Sequence, residues 1–459
     1  PDDFEGLFVD HALFANVSME DAFMAFLASR REDADPEMAD WIERVDNSTD
    51  VAVHLALLSK TDGGDTSGVP SVPPWMHKKV ARGREIPWSR IRDTEWEEPF
   101  LEALAKEWTQ WLVYDAVEPL GIDYEPAEDE NVLDLRVMCS DRKETERGAR
   151  TYVEIPLDAK CRLIVQGPRE TLGDTEQRDT SSPTLPEETL HILYVVALSL
   201  GWTVEQGDVE AAFLNGLKLS RRLILRAPKQ GLPEIPGMMQ RIQPGEYLLA
   251  LKGVYGVNDA PNLWSGRHAQ GLMDTGAVQS ALAPRTLFLW FDKKHPANEH
   301  VTLTGIAGTH VDDDLFAGTD WWKAHVLPVV RRTFSYGKWA NGQEPYIHLG
   351  RRVTQTPQKV ILDQEQYALG LKQIEVKKER RALKDDAATP VETTALRASS
   401  GKVAWVLKTR SDVSSRLSGV QQQIATATVS TIHDHNKMVI QCVRDSHLTL
   451  EFVPIRFWE

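Results

Sequence analysis

The sequence predicts an α+β fold, and three observations carry that prediction. Short apolar runs that read as strands are mixed, without strict alternation, with segments whose apolar residues recur every three or four positions. One helical segment, from Pro186 to Leu200, is apolar nearly all round, so it belongs in an interior. Two strand-like runs, Leu303 to Ala307 and Leu315 to Gly318, bracket the acidic tip Val311-Asp312-Asp313-Asp314, the pattern of a β-hairpin.

Each element follows from local pattern. From Ile86 to Val113 the chain is helical, with Phe100, Leu101, Leu104, Trp108 and Leu112 at three- and four-residue spacing. Residues 122–147 are charged and read as loop, with an acidic cluster from Glu125 to Glu130. Lys160 to Val165 reads as a strand that starts with basic residues, and Gly167 to Ser182 as a polar, mobile loop. The helix from Pro186 has proline and acids in its first turn and Gly201 at its end. Gly201 to Phe213 reads as a strand running into a helix. Leu223 to Leu225 and Tyr247 to Lys252 are strands, and Asn262 to Met273 a helix. Leu287 to Phe291 and Val301 to Ala307 are strands that lead to the acidic tip. Trp321 to Phe334 is a helix, Tyr346 to Val353 a strand, and Val360 to Lys372 opens a more helical C-terminal part. Upstream, Met19 to Ser29 has a helical pattern, and Asp62 to Pro74 has the composition of a linker.

At 459 residues, with 42% hydrophobic and 26% charged residues, the chain has room for two to three globular modules. No apolar run reaches the roughly 18 residues that span a bilayer. The acidic N-terminus has no signal or transit pattern. Three scattered cysteines, Cys139, Cys161 and Cys442, point to a reducing compartment and offer no zinc spacing. The net charge of −16 is uneven: residues 1–150 carry 34 acidic and 16 basic side chains, and the remainder is close to neutral. The acidity therefore belongs to a lead-in of 1–85 and the segment just after it, which leaves basic clusters downstream free to track phosphates.

The acidic tip has a partner. Adjacent aspartates repel, so a fold keeps such a cluster cheaply only in solvent or around a cation. Asp208 lies about a hundred residues earlier at the end of a strand-like stretch. A lone aspartate on one element and a pair on a distant hairpin suit two hard cations bridged by carboxylates.

The order of motifs resembles the reverse transcriptase region of copia-type LTR retrotransposon polyproteins. The segment from Trp108 to Pro119 is similar to the one preceding that polymerase, and Lys160 to Gly167 to its basic strand. Asp208-Val-Glu-Ala-Ala-Phe-Leu-Asn-Gly216 is close to its first acidic motif. Leu251 to Trp264 resembles a Tyr-Gly…Ala-Pro…Trp motif, His310-Val-Asp-Asp313 a Val-Asp-Asp hairpin, and Leu349-Gly350 a primer-gripping strand. Thr180 to Pro183 and the stretch from Gly401 to Val420 complete the series, which spans about residues 95–450.

This resemblance implies a right-hand polymerase with fingers, an antiparallel palm and a helical thumb. Residues 86–365 would be fingers and palm. Residues 366–459 would be thumb and the start of a connection to a ribonuclease H domain not included here. It further implies DNA synthesis on RNA or DNA templates, with a primer-template and deoxynucleoside triphosphates as partners. Asp208, Asp312 and Asp313 would be the catalytic, metal-binding triad, holding two Mg²⁺ ions, with Mn²⁺ as a substitute. Lys160 and Arg162 would pair with the triphosphate, and Tyr255 and Gly256 would line the nucleotide pocket. Phe213 would lie under the sugar and exclude a 2′-hydroxyl. The implied location is intracellular, cytoplasmic or nuclear in a virus-like particle, with no membrane partner; a homo-oligomer is left open. The chain departs from the family at His310, Asp314, Gln166, Asn258-Asp259 and Ser181. These departures motivate the alternative, a catalytically inactive remnant that only binds nucleic acid.

Overall fold

The computed structural model describes residues 85–144, 152, 154–171, 179–292 and 302–456. The helical pattern at 19–29, the linker at 62–74, nearly all of the acidic lead-in and residues 172–178 of the polar loop lie outside the described residues.

In chain order the first strands are β1 (Val117–Gly121), β2 (Val132–Asp141), β3 (Ala159–Val165), β4 (Glu205–Val209), β5 (Ile224–Arg226) and β6 (Tyr247–Ala250). Next come β7 (Val278–Gln279), β8 (Leu287–Phe291), β9 (Leu303–His310), β10 (Asp313–Gly318) and β11 (Tyr336–Ala340). The last are β12 (Tyr346–His348), β13 (Arg351–Gln355), β14 (Val360–Asp363) and β15 (Leu450–Phe452). The principal helices are α1 (Glu97–Val113), α2 (Glu187–Ser199), α3 (Ala260–Asp274), α4 (Asp320–His325), α5 (Leu327–Thr333), α6 (Pro390–Val406), α7 (Ser414–Gln422) and α8 (Val429–Arg444). Mixed helices and mainly antiparallel sheets make the fold α+β.

A five-stranded sheet ordered β1-β6-β5-β2-β3 takes α1 on one face. Phe100, Leu104, Trp108 and Trp111 form the buried stripe of α1, against Leu133, Leu135, Leu163 and Leu248. Each such fully buried side chain contributes on the order of 1.5–3 kcal/mol relative to exposure. Residues 122–147, expected as loop, contain the ten-residue β2. Leu133, Leu135, Val137 and Cys139 alternate inward, and the charged residues Asp134 and Arg136 between them face outward. A half-buried strand with charges on its outer side has the composition of a loop but the period of a sheet.

A six-stranded sheet ordered β11-β4-β10-β9-β8-β7 is covered on both faces. Leu190, Leu193, Tyr194 and Leu198 of α2 pack on Leu287, Ile306, Leu315 and Ala317. On the other side Phe288, Ala307 and Phe316 meet Leu272 of α3 and Trp322 and Val330 of α4 and α5. Gly207, in the middle of β4, is required by this packing. A Cβ there would sit 2.6 Å from the rings of both Trp339 and Tyr336, and Trp339 in turn stacks on Phe316 at 5.6 Å. The helix expected over Trp321 to Phe334 is broken into α4 and α5, because Pro328 in the first turn of α5 has no N–H to continue the ladder.

The strand expected from Tyr346 to Val353 is instead the hairpin β12–β13. Leu349 (φ 47°) and Gly350 (φ 70°) both take left-handed backbone, as a two-residue type I′ turn requires. Val360 opens strand β14 before a short helix at Glu365–Leu369. β12, β13, β14 and the late strand β15 form a third sheet, whose Tyr346, Val353 and Leu362 share a core with α2. Helices α6, α7 and α8 pack on one another through Val403, Leu417, Met438 and Val439.

Candidate active site

The β9–β10 hairpin turns at Val311-Asp312, between His310 and Asp313, which face each other across the ladder. Val311 has φ 63°, a left-handed conformation that is unusual for a β-branched residue. β10 also pairs with β4, and in that register Asp313 lies directly opposite Asp208. Directly opposed antiparallel residues have Cα atoms about 4.5–5.5 Å apart. One residue further on, the Val209 N–H donates to the Asp312 carbonyl at 2.8 Å. The lone aspartate and the pair, a hundred residues apart in sequence, therefore meet at one end of the six-stranded sheet.

Their electrostatics reflect that proximity. Burial raises the Asp208 carboxyl above its ordinary value, and the Asp312 charge raises it further, while Lys338 and Lys160 oppose the shift. Asp313 is pushed up to about 6, mainly by burial and further by Asp312 and Asp208, against a hydrogen bond from Gln206. That bond, Gln206 Nε2 to Asp313 Oδ1 at 3.1 Å, holds Asp313 toward β4, while Asp312 is exposed at the tip. Asp314 is fully buried, accepts from the Tyr336 hydroxyl at 2.8 Å and has His268 Nε2 3.0 Å away.

An all-oxygen donor set suits a hard cation such as Mg²⁺. Among the described residues, no three His, Cys, Asp or Glu side chains already stand close enough to form a closed cage. The residues fit a cation as an open site: Asp208 and Asp312 repel each other, and a bound cation would relieve that repulsion.

The basic strand lies within electrostatic reach. Lys160 and Arg162 share the outer side of β3, and Cys161, Leu163 and Val165 point inward. Burial lowers the Lys160 ammonium, and repulsion from Arg162 and Arg142 adds to it. Below them is Glu107 of α1, which accepts from the Leu163 N–H and the Trp111 indole, each at 3.2 Å. Desolvation raises the Glu107 carboxyl.

Tyr255 and Gly256 are bonded to the end of this strand. The Val165 N–H donates to the Tyr255 carbonyl at 2.8 Å, and the Gly167 N–H to the Gly256 carbonyl at 3.1 Å. Gly256 has φ 95°, and a side chain on either glycine would run into the other segment's backbone. Arg162 lies over the Tyr255 ring at 5.8 Å, and Phe213 meets that ring edge-on at 5.4 Å. Phe213 belongs to a short 3₁₀ turn at Ala212–Asn215, directly after β4, where a helix was expected. Asp259, a departure from the resembled motif, joins Glu170 in gripping Arg221 at 2.6–3.0 Å.

The eight sequence-predicted residues are thus linked pairwise: Asp208, Asp312 and Asp313 meet at the tip, Lys160 bears on Asp208, and Arg162 and Phe213 both reach Tyr255, while Gly256 is bonded beyond the other end of β3 from Lys160. Sequence reasoning missed Gln206, Glu107 and Lys338, and placed Trp264 in a motif without giving it a role. Gln206 precedes Asp208 by two positions, so strand alternation places it on the same face; nothing in the sequence pairs Lys338 with Asp208. His310, one of the departures from the resembled motif, forms an isolated antiparallel bridge with Thr184. Its pKa is lowered by burial and by Arg351. Arg351 is itself buried and paired with Glu187, which also holds Lys408.

A family model described as reverse transcriptase (RNA-dependent DNA polymerase) matches residues 151–372. Two relatives from Arabidopsis thaliana, the retrovirus-related Pol polyproteins from transposons RE2 and RE1, are 26% and 27% identical over 213 residues. The match covers 46% of this chain and 13% of each relative's length.

Proposed function

We propose, from the premise that residues 151–372 form a reverse transcriptase region, that the chain is a template-directed DNA polymerase module of a retrotransposon polyprotein. The observation that carries the proposal is the register that sets Asp208 opposite Asp313 beside the exposed Asp312. The five-stranded sheet is the fingers, the six-stranded sheet the palm and the α6–α8 bundle the thumb.

In this reading Asp208 and Asp312 hold divalent cations, with Asp313 completing the set. Such cations, when bound, would lower the pKa of a primer 3′-hydroxyl and neutralise the triphosphate. Lys160 and Arg162 pair with phosphate oxygens through charge-assisted hydrogen bonds, and Glu107 props the strand that carries them. The Phe213–Tyr255 pair closes the sugar side, where a 2′-hydroxyl would meet the ring. The primer-template lies along the end of the palm, with the β12–β13 hairpin beside it.

The test is primer extension on poly(rA)·oligo(dT) with Mg²⁺. The wild-type chain should extend the primer, and Asp312→Asn should not, with folding unchanged because Asp312 is exposed. Activity surviving in Asp312→Asn would overturn the assignment. A wild-type chain that binds primer-template but extends nothing, even with Mn²⁺, would establish the inactive remnant instead.

A further inference from the structure

We infer that Trp264 is a positioning residue for Asp312, acting through the peptide bond that joins Val311 to it; the inference rests on the polymerase reading. The indole Nε1–H of Trp264 donates to the Val311 carbonyl at 2.6 Å. That carbonyl belongs to the same peptide plane as the Asp312 N–H. The next carbonyl, that of Asp312, accepts from Val209 at 2.8 Å. Both peptide planes that flank the Asp312 Cα are therefore tied down, one to α3 and the other to β4. The carboxylate at the tip has only its own side-chain torsions left to vary.

The tie has work to do because Val311 has φ 63°. A β-branched residue disfavours left-handed backbone, so the turn relaxes unless something outside it holds the carbonyl. Trp264 is suited to hold it because it is itself immobilised. It is 1% exposed, stacks on His268 at 4.6 Å and 14°, and meets Phe334 edge-on at 5.5 Å. His268 lies against the buried Asp314, which Tyr336 also holds. The third acid of the tip thus faces down into a base of aromatic rings, and the first, Asp312, is exposed. Burial alone does not require such a bond. The indole N–H groups of Trp108 and Trp322, equally buried, have no hydrogen-bond partner among the described residues.

The test uses Trp264→Phe, which keeps an aromatic ring and removes the donor. Primer extension should lose about tenfold or more in kcat, as for a misplaced catalytic group, with KM for primer-template and nucleotide nearly unchanged. Independently of turnover, Mn²⁺ binding to the chain, followed by electron paramagnetic resonance, should weaken several-fold. Val311→Asn, which accepts left-handed backbone more readily, should restore part of both losses when combined with Trp264→Phe. A merely structural role would lower thermal stability and leave the Mn²⁺ affinity of the folded fraction unchanged. Should Trp264→Phe not fold, benzothienylalanine at position 264 keeps the shape of the indole without the N–H. Wild-type kcat and wild-type Mn²⁺ affinity in the donor-less variant would overturn the inference. An inactive wild-type chain whose Mn²⁺ binding still weakens on loss of the donor would overturn the polymerase reading and leave Trp264 as a positioning residue. A wild-type chain that binds no Mn²⁺ would overturn both.

Discussion

Gly207 shows how closely single residues bound this site. It lies one position before Asp208 on β4, and its missing side chain is the space into which Tyr336 and Trp339 fold. Tyr336 in turn donates to Asp314, so a methyl group at 207 would push on the strand that carries one acid and on the support of another. Gly207→Ala is expected to destabilise the chain by about 1–3 kcal/mol, measured by urea denaturation, because an over-packed interior must shift rings or backbone. An unchanged midpoint would mean that the two rings move aside freely. At this scale the sequence announced the acids and not their supports. Asp208 and Asp312 stand in recognisable strings, but the demand for glycine at 207 comes from rings 129 and 132 positions later. No local pattern records such a demand.

Among the elements, α2 joins the six-stranded sheet to the third sheet. Its Glu187, in the first turn, bonds His191 and takes both Arg351 of β13 and Lys408 just beyond α6. Burial alone would raise the Glu187 carboxyl. The His191 hydrogen bond, the Arg351 charge and Lys408 outweigh it and bring the pKa down to about 2. A carboxyl whose folded pKa lies below its unfolded value of 4.5 stabilises the fold fully above that value, and the contribution is lost as pH falls toward about 2. The difference corresponds to on the order of 2 kcal/mol at neutral pH once partial exposure is discounted. Glu187→Gln should therefore flatten the stability profile between pH 4.5 and 2, as followed by denaturant midpoints across that range. An unchanged slope would mean that His191, Arg351 and Lys408 do not act through this group.

The helix itself was legible because it is apolar nearly all round, with Pro186 before it and Gly201 after it. The β12–β13 hairpin was not, because Leu349 in left-handed backbone gives no compositional signal and only Gly350 hints at a turn. β2 was missed for a related reason: Asp134 and Arg136 face outward, and their charge masked the alternation of Leu133, Leu135 and Val137.

On the scale of the whole molecule, the last strand closes the fold. β15 leaves the α6–α8 bundle and returns about ninety positions to pair with β14, where Phe452 stacks on Tyr194 at 6.0 Å and lies 4.9 Å from His191. Removing residues 446–459 would uncover the edge at Val360 and Leu362 and open one side of the α2 core. The truncated chain should melt several degrees lower and aggregate at concentrations where the full chain does not, as judged by calorimetry and light scattering. Equal melting would mean that the third sheet is complete without its last member. None of the described helices is long and apolar enough to cross a membrane. The architecture class was readable from the interspersed strand and helix periods. Which strands neighbour one another was not, because β4 pairs with both β10 and β11 across more than a hundred residues of chain.

The paired glycines 167 and 256 carry a consequence for heredity. A side chain at 167 would run into the Gly256 carbonyl and one at 256 into the Val165 backbone, so neither can acquire a side chain while the two segments stay in place, and changing both only adds the collisions. No second-site reversion between them is available. In a pool of randomised copies screened for folding, both codons should stay at glycine while Asn258 next door drifts, and copies losing either would leave the pool without passing through a viable intermediate.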